Sequence, residues 1–188
     1  MDTLPFELSE KPFTLRQAIK LGLNRYFLRK LIAEGVVEQL ARGIYRRTKD
    51  DISEEDQYRS ATLRVGSPSA VCLVSALAHH GLTDSIPKKT WMMVTNTKRT
   101  NFADIKVFRA RSPKWKIGIE KCDGYSITKI ERTIVDCLVQ REKLGIQIGI
   151  TALRNAISSR KSNLGKILDT AIKLGVAHRV RPYIEALS

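Results

Sequence analysis

Apolar and polar positions follow two different periods along this chain, and the change of period divides it. In "FTLRQAIKLGLNRYFLRKLIAEG", residues 13–35, apolar side chains recur at three- and four-residue spacing. Leu15, Ala18 and Ile19 share a face, and Thr14 followed by Gln17 makes a capping box, which predicts a short helix over 15–21 ended by Gly22. Asn24 is the N-cap of a second predicted helix that Gly35 terminates. On its wheel Phe27, Leu28, Leu31 and Ile32 fall to one side, with Arg25, Tyr26, Arg29 and Lys30 opposite. The period then drops to two. "VVEQL" and "IYRR" read as strands joined by a three-residue loop, Ala41-Arg42-Gly43, with glycine at the position that needs φ > 0.

A polar junction over 48–53 changes the sign of the charge and sets the expected boundary between a domain at 1–50 and one at 54–188. Beyond it the pattern predicts a helix over 54–65, with Ser53 and Asp56 as candidate caps, and a second helix beginning at Pro68. That second helix, "SAVCLVSALAHH", is apolar almost all round and therefore buried. "TWMMVT", "DIKVFRA" and "KWKIGIE" read as strands, and "DGYSIT" leads into an amphipathic helix, "KIERTIVDCLVQREKLG". The helical period returns at Leu164, Ile167, Leu168, Ala171 and Ile172, and again at Val176, Val180, Tyr183, Ile184 and Leu187. The expected fold class is α+β: an N-terminal winged helix-turn-helix followed by a mixed α/β domain with a helical C-terminal part.

Charge adds a function class. The 188 residues hold 33 Lys+Arg against 19 Asp+Glu, a net charge of +14, which attracts polyanions. The second predicted helix and the hairpin supply the cations in a pattern suited to duplex DNA. Arg25 and Arg29 are the candidates for base edges, since a guanidinium fork matches guanine O6 and N7. Tyr26 lies beside them, and Lys30, Arg42, Arg46 and Arg47 are assigned to backbone phosphates. Tyr45 is expected to anchor its ring beneath the hairpin. A second basic surface is expected around Arg109, Arg111, Lys114 and Lys116, with Arg154, Arg160 and Lys161, because residues 101–188 carry 17 Lys+Arg and only 8 Asp+Glu.

Catalytic and metal chemistry find little footing. Cys72, Cys122 and Cys137 share no CxxC spacing and read as small apolar residues in a reducing cytoplasm. No apolar run reaches the ~18 residues of a membrane span, and the first dozen residues carry neither the basic nor the apolar region of a signal peptide. His79-His80 ends an apolar helix, where imidazoles meet free carbonyls more often than metals. Ser75 falls inside that helix, out of reach as a nucleophile. Asp104-x-Lys106 has the form of a metal-dependent nuclease strand, and a nuclease using those two residues is the alternative function. No cofactor, metal or catalytic residue is otherwise implied.

The order of "FTLRQAIKLGLNRYFLRKLIAEGVVEQLARGIYRR", "SALAHHGL", "SITKIERTIVDCL" and "LGKILDTAIKLGVAHRVRPYIEAL" resembles the AbiEi-type antitoxins of bacterial type IV toxin-antitoxin systems. The resemblance spans Phe13 to Leu187. It implies a winged helix that binds inverted repeats in its own promoter and represses the operon. It also implies a C-terminal domain that counters a nucleotidyltransferase toxin without forming a stable complex with it. Gly43-Ile44-Tyr45, Ser75 to Leu82, and Arg132-Thr133 with Asp136 fall where the family pattern expects them. Arg132 and Asp136, four apart on one helix, are able to pair. Many relatives begin with a full helix ahead of "FTLRQ", whereas "TLPFELSEKP" is short and broken by proline.

Overall fold

The capping box at Thr14 forms in the computed structural model, which describes residues 4–9, 11–48 and 52–186. Thr14 Oγ1 accepts the Gln17 amide, and Gln17 Oε1 accepts the Thr14 amide at 2.7 Å. The chain ahead of this cap forms one helical turn, α1 (Phe6–Ser9), whose Leu8 is buried, and a short strand, β1 (Phe13–Thr14). Helix α2 (Leu15–Lys20) follows, and Gly22 at φ 86° ends it as expected. Helix α3 (Arg25–Ala33) starts at Asn24, whose Oδ1 accepts the Phe27 amide at 2.8 Å, and buries Leu28 and Leu31. These pack with Phe13, Ala18, Leu23 and Val37 into one apolar cluster.

Strands β2 (Val37–Ala41) and β3 (Ile44–Arg47) form the hairpin, and β1 adds to its other edge, giving the antiparallel order β1-β3-β2. The register slips between Gln39 and Ala41, so that Ala41 pairs Ile44 and the loop shortens to Arg42-Gly43, with Gly43 at φ 77°. Helix α4 (Glu54–Val65) belongs with this sheet. Its cap is Ser53, which accepts the Asp56 amide at 3.1 Å, while the Asp56 carboxylate turns to Arg46 and Arg59. The chain accordingly divides at Ser67/Pro68 into two compact units, not at the polar junction expected over 48–53. Residues 49–51 of that junction lie outside the described residues, as does Leu187.

The second unit is built on a five-stranded sheet of order β6-β5-β4-β8-β7. Strand β4 (Ser69–Val71) occupies the stretch expected to open a helix at Pro68. A short apolar run does not distinguish a doubly covered strand from a buried helix, and here all three residues are buried between β5 and β8. Cys72 and Leu73, the latter at φ 50°, turn the chain into α5 (Leu73–His79). Ser75 on this helix is buried and accepts the Trp91 amide at 2.9 Å.

Strands β5 (Thr90–Thr95) and β6 (Ile105–Ala110) pair in parallel, as their patterns suggested they would both be strands. "KWKIGIE" does not stay extended: Ser112 and Pro113 start a 3-10 turn (Pro113–Lys116), and only β7 (Ile119–Lys121) is strand. Within the "DGYSIT" lead-in, β8 (Ser126–Thr128) pairs both β7 and β4. Helix α6 (Ile130–Val139) buries every residue from Arg132 to Leu138, and Gln140 separates it from α7 (Arg141–Leu144). Helices α8 (Ile146–Ser158), α9 (Leu164–Leu174) and α10 (Ala177–Glu185) complete the core, meeting α6 through Leu153, Ile167, Ala171 and Val180.

Inside that core Arg132 and Asp136 pair as their spacing allows, Nε donating to Oδ2 at 2.8 Å. Burial pushes the Asp136 carboxyl up to about 6, against the lowering pull of the Arg132 charge. The folded state therefore holds this proton more tightly than the unfolded chain, so stability falls as pH rises from about 4 to about 6. Replacing Asp136 with asparagine is expected to remove that slope, worth on the order of 3 kcal/mol across the window. Urea unfolding followed by tryptophan fluorescence at a series of pH values measures it, and an unchanged slope in the variant would assign the dependence to other groups.

Candidate nucleic-acid interface

Each cation assigned to DNA has a place fixed by its element. Helix α3 buries its Leu28 and Leu31 side, and this turns Arg25, Tyr26, Arg29 and Lys30 outward, all four exposed. Tyr26 is 78% exposed, more than an aromatic ring needs for packing. Lys30 pairs loosely with Glu34 one turn on, at 3.9 Å. A shallow cavity of about 210 Å³ opens beside the helix, lined by Leu15, Arg25, Leu28, Arg29, Ile32 and Tyr45. It joins the two guanidinium-bearing residues of the helix to the hairpin through Tyr45. Nothing in the spacing marked Leu15 for this place, because its neighbour across the cavity lies thirty residues on.

Tyr45 behaves as the anchor expected of it. It is half-buried against the apolar cluster, with its ring centre 6.0 Å from that of Phe13, its partner across the β1-β3 ladder. Arg42 is exposed at the hairpin tip, and Arg47 is exposed at the end of β3.

Arg46 is the correction. Successive strand residues face opposite sides, so Ile44 and Arg46 share a face and Tyr45 and Arg47 the other. The Tyr45 face carries Phe13 and Val37 against the apolar cluster, the Ile44 face is turned to α4, and Arg46 on it is only 3% exposed. Its Nε donates to Glu38 Oε1 at 2.6 Å, directly across the β2-β3 ladder, and Nη1 reaches Asp56 Oδ2 at 3.5 Å. Asp56 also binds Arg59 at 3.1 Å, and Arg59 binds Glu55 at 2.7 Å. Arg46 is thus an internal clamp between hairpin and α4, closed off from phosphate. The period-two pattern sets Ile44 and Arg46 on one face but does not mark that face as covered by α4.

The residues of the expected second basic surface are dispersed in role. Arg111, Lys114, Lys116, Arg154 and Arg160 are exposed. Arg109 is half-buried and donates to the Lys98 and Thr100 carbonyls, and Lys161 donates to the His80 carbonyl. His80 Nε2 lies 2.8 Å from the Thr128 carbonyl of β8, not from a carbonyl at the end of its own helix, and burial holds its pKa below the ordinary histidine value. Lys106 lies 4.4 Å over the Trp91 ring. Among the described residues no three His, Cys, Asp or Glu side chains converge to hold a metal ion, so the nuclease reading of Asp104-x-Lys106 gains no support. Cys72 and Cys137 are buried, Cys122 is half-buried, and all three are free thiols; burial pushes the first two well above the ordinary thiol range. No helix among the described residues is long and apolar enough to cross a membrane.

With this geometry in place, a comparison with known families bears on the first unit. Residues 2–48 match the family described as transcriptional regulator, AbiEi antitoxin. The AbiEi match covers α1 to β3 and therefore includes every residue assigned to DNA. Beyond it, the fold of the chain is similar to the crystal structure of the RV2827C protein from Mycobacterium tuberculosis, with a TM-score of 0.54 at 15% identity over 93% of this chain and 76% of that one. No curated protein matches the sequence.

Removing the Arg46 clamp leaves Asp56 as a buried charge with one cation fewer, so Arg46→Ala is expected to destabilise the first unit by about 3–5 kcal/mol. Arg46→Met, which fills the space without the charge, should lose less if Glu38 swings to solvent. Hydrogen exchange of the Leu28 and Leu31 amides reads the effect, and a loss under about 1 kcal/mol would mean the clamp is not what holds the hairpin.

Proposed function

We propose that this chain is a DNA-binding transcriptional regulator of the AbiEi antitoxin type, whose first unit works as a winged helix. In this reading α2 and α3 are the helix-turn-helix, with α3 entering the major groove, and the β2-β3 hairpin is the wing. The observation that carries it is the face of α3: Arg25, Tyr26, Arg29 and Lys30 stand exposed side by side, opposite the buried Leu28 and Leu31. The family match over residues 2–48 supports the same reading.

Roles follow from chemistry and reach. Arg25 and Arg29 read base edges, the guanidinium fork donating to guanine O6 and N7. Tyr26, exposed between them, stacks against sugar or base. Lys30, Arg42 and Arg47 bind phosphates, which fixes orientation and makes affinity fall with salt. Tyr45 holds the wing against the helix and leaves the reading to the arginines.

The AbiEi resemblance extends the reading to an autorepressor acting on inverted repeats in its own promoter, in the bacterial cytoplasm. It extends it also to an antitoxin countering a nucleotidyltransferase toxin without a stable complex between them. The second unit, free of the α3 cations, is the part assigned to that task.

Fluorescence anisotropy with promoter and scrambled duplexes tests the interface. Arg25→Ala with Arg29→Ala should erase the preference for promoter sequence, about 1–3 kcal/mol per lost base contact, while keeping salt-sensitive binding. Undiminished preference would remove α3 from the groove. Arg42→Ala and Arg47→Ala should each flatten the dependence of log affinity on log salt by about one unit, with preference intact. Arg46→Met should leave that slope where it was, since its guanidinium faces α4.

A further inference from the structure

The second unit contains a cavity of about 410 Å³, within the range of about 300–1,000 Å³ common to ligand pockets. It lies between the end of β6, the 3-10 turn, α6 and α9. Three chemically distinct zones line it. Phe108, Trp115, Val139 and Leu174 form apolar walls, with the Trp115 indole half-buried. Arg132 and Asp136 sit together in the lining, nearly buried. Arg111 and Lys143 are also part of the lining and are exposed.

The buried pair is not used up by the fold. Arg132 Nη1 donates to the Trp115 and Ile117 carbonyls and Nε to Asp136 Oδ2, but Nη2 meets only the Met93 thioether, at 3.8 Å. A thioether is a weak acceptor. Asp136 Oδ1 receives no hydrogen bond from the described residues. The lining thus sets a guanidinium beside a carboxylate whose Oδ1 is unbonded among the described residues, and an indole stands within the same space.

We propose that this cavity binds a nucleotide: the base lies against Trp115 with its polar edge on Asp136 and Arg132, and the phosphate meets Arg111 and Lys143. Every nucleobase carries a donor next to an acceptor on its pairing edge, which matches a carboxylate next to a guanidinium. Every base also has a π-face for an indole. Exposed cations at the opening suit a dianionic phosphate that stays partly hydrated. Aliphatic anions satisfy the cations alone, and apolar ligands leave the donor and acceptor unmet. The site is separate from the proposed DNA interface and does not rest on it.

The chain has two tryptophans, so Trp91→Phe leaves Trp115 as the single reporter and its quenching marks occupancy. Titration of the full chain with 5′-AMP, CMP, GMP and UMP is expected to saturate for at least one of them below roughly 1 mM. Ribose 5-phosphate, which lacks the base, should bind at least about tenfold more weakly, as should the best nucleotide to Arg111→Ala with Lys143→Ala. Both rim residues are exposed, so this variant keeps the fold. Asp136→Asn should change which base binds best, with circular dichroism unaltered. Calorimetry on the unsubstituted chain gives the same reading without Trp91→Phe. Absence of saturation with all four nucleotides, equal binding of ribose 5-phosphate, or full affinity in the rim variant would each overturn the proposal.

Discussion

The guanidinium of Arg46 cannot shed its charge, so once the alternation of β3 turns it inward it dictates what stands around it. Taking such an ion out of water costs several kcal/mol, and only acceptors in good geometry offset that. The register of the hairpin sets Glu38 directly opposite, and the first turn of α4 brings Asp56. Three consequences follow from this one constraint. A slip of the hairpin by one residue is opposed, because it would exchange Arg46 for Tyr45 on the face toward α4. Helix α4 is held to the hairpin, so the first unit runs on to Ser67. Tyr45 is committed to the opposite face, where it meets Phe13 and lines the cavity beside Arg25 and Arg29.

The second unit repeats the constraint with a different solution. Arg132 is nearly as buried, and α6 supplies one carboxylate, from Asp136, while the remaining acceptors are the carbonyls of Trp115 and Ile117. Those carbonyls belong to the turn that breaks the expected third strand. Arg132 therefore fastens an irregular segment to the core helix, and it does so without closing the cavity beside it.

What the sequence made legible was whatever depends on neighbours in the chain. The capping box at Thr14, the Asn24 cap, the glycine at position 43 and the polar face of α3 are all local, and each stands where its residues predicted. The assignment of Arg46 to phosphate fails because both faces of the hairpin are covered, one by the apolar cluster and one by α4, and the sequence marks only the first. Asp56, the partner of Arg46, lies ten residues away and also satisfies the pattern of a helix cap. Strand β4 was hidden because Ser69–Val71 continues smoothly into the apolar helix after it, and the turn at Leu73 leaves no glycine or proline to announce itself. The cavity of the second unit could not be read at all, since Trp115, Asp136 and Leu174 are brought together only by packing.

The placement of the two buried arginines also changes how the net charge of +14 is to be understood. Arg46 and Arg59 are matched at close range by Glu38, Glu55 and Asp56, so that part of the first unit contributes little field beyond itself. Arg25, Arg29, Arg42 and Arg47 have no such cluster of carboxylates in contact among the described residues, and their exposure leaves them screened only by ions. Glu38, Glu55 and Asp56 are thus gathered on the α4 side of the sheet, while Arg25, Arg29, Arg42 and Arg47 stand on α3 and the hairpin. A polyanion approaching this unit would meet a directional field, because Glu38, Glu55 and Asp56 are already engaged with Arg46 and Arg59.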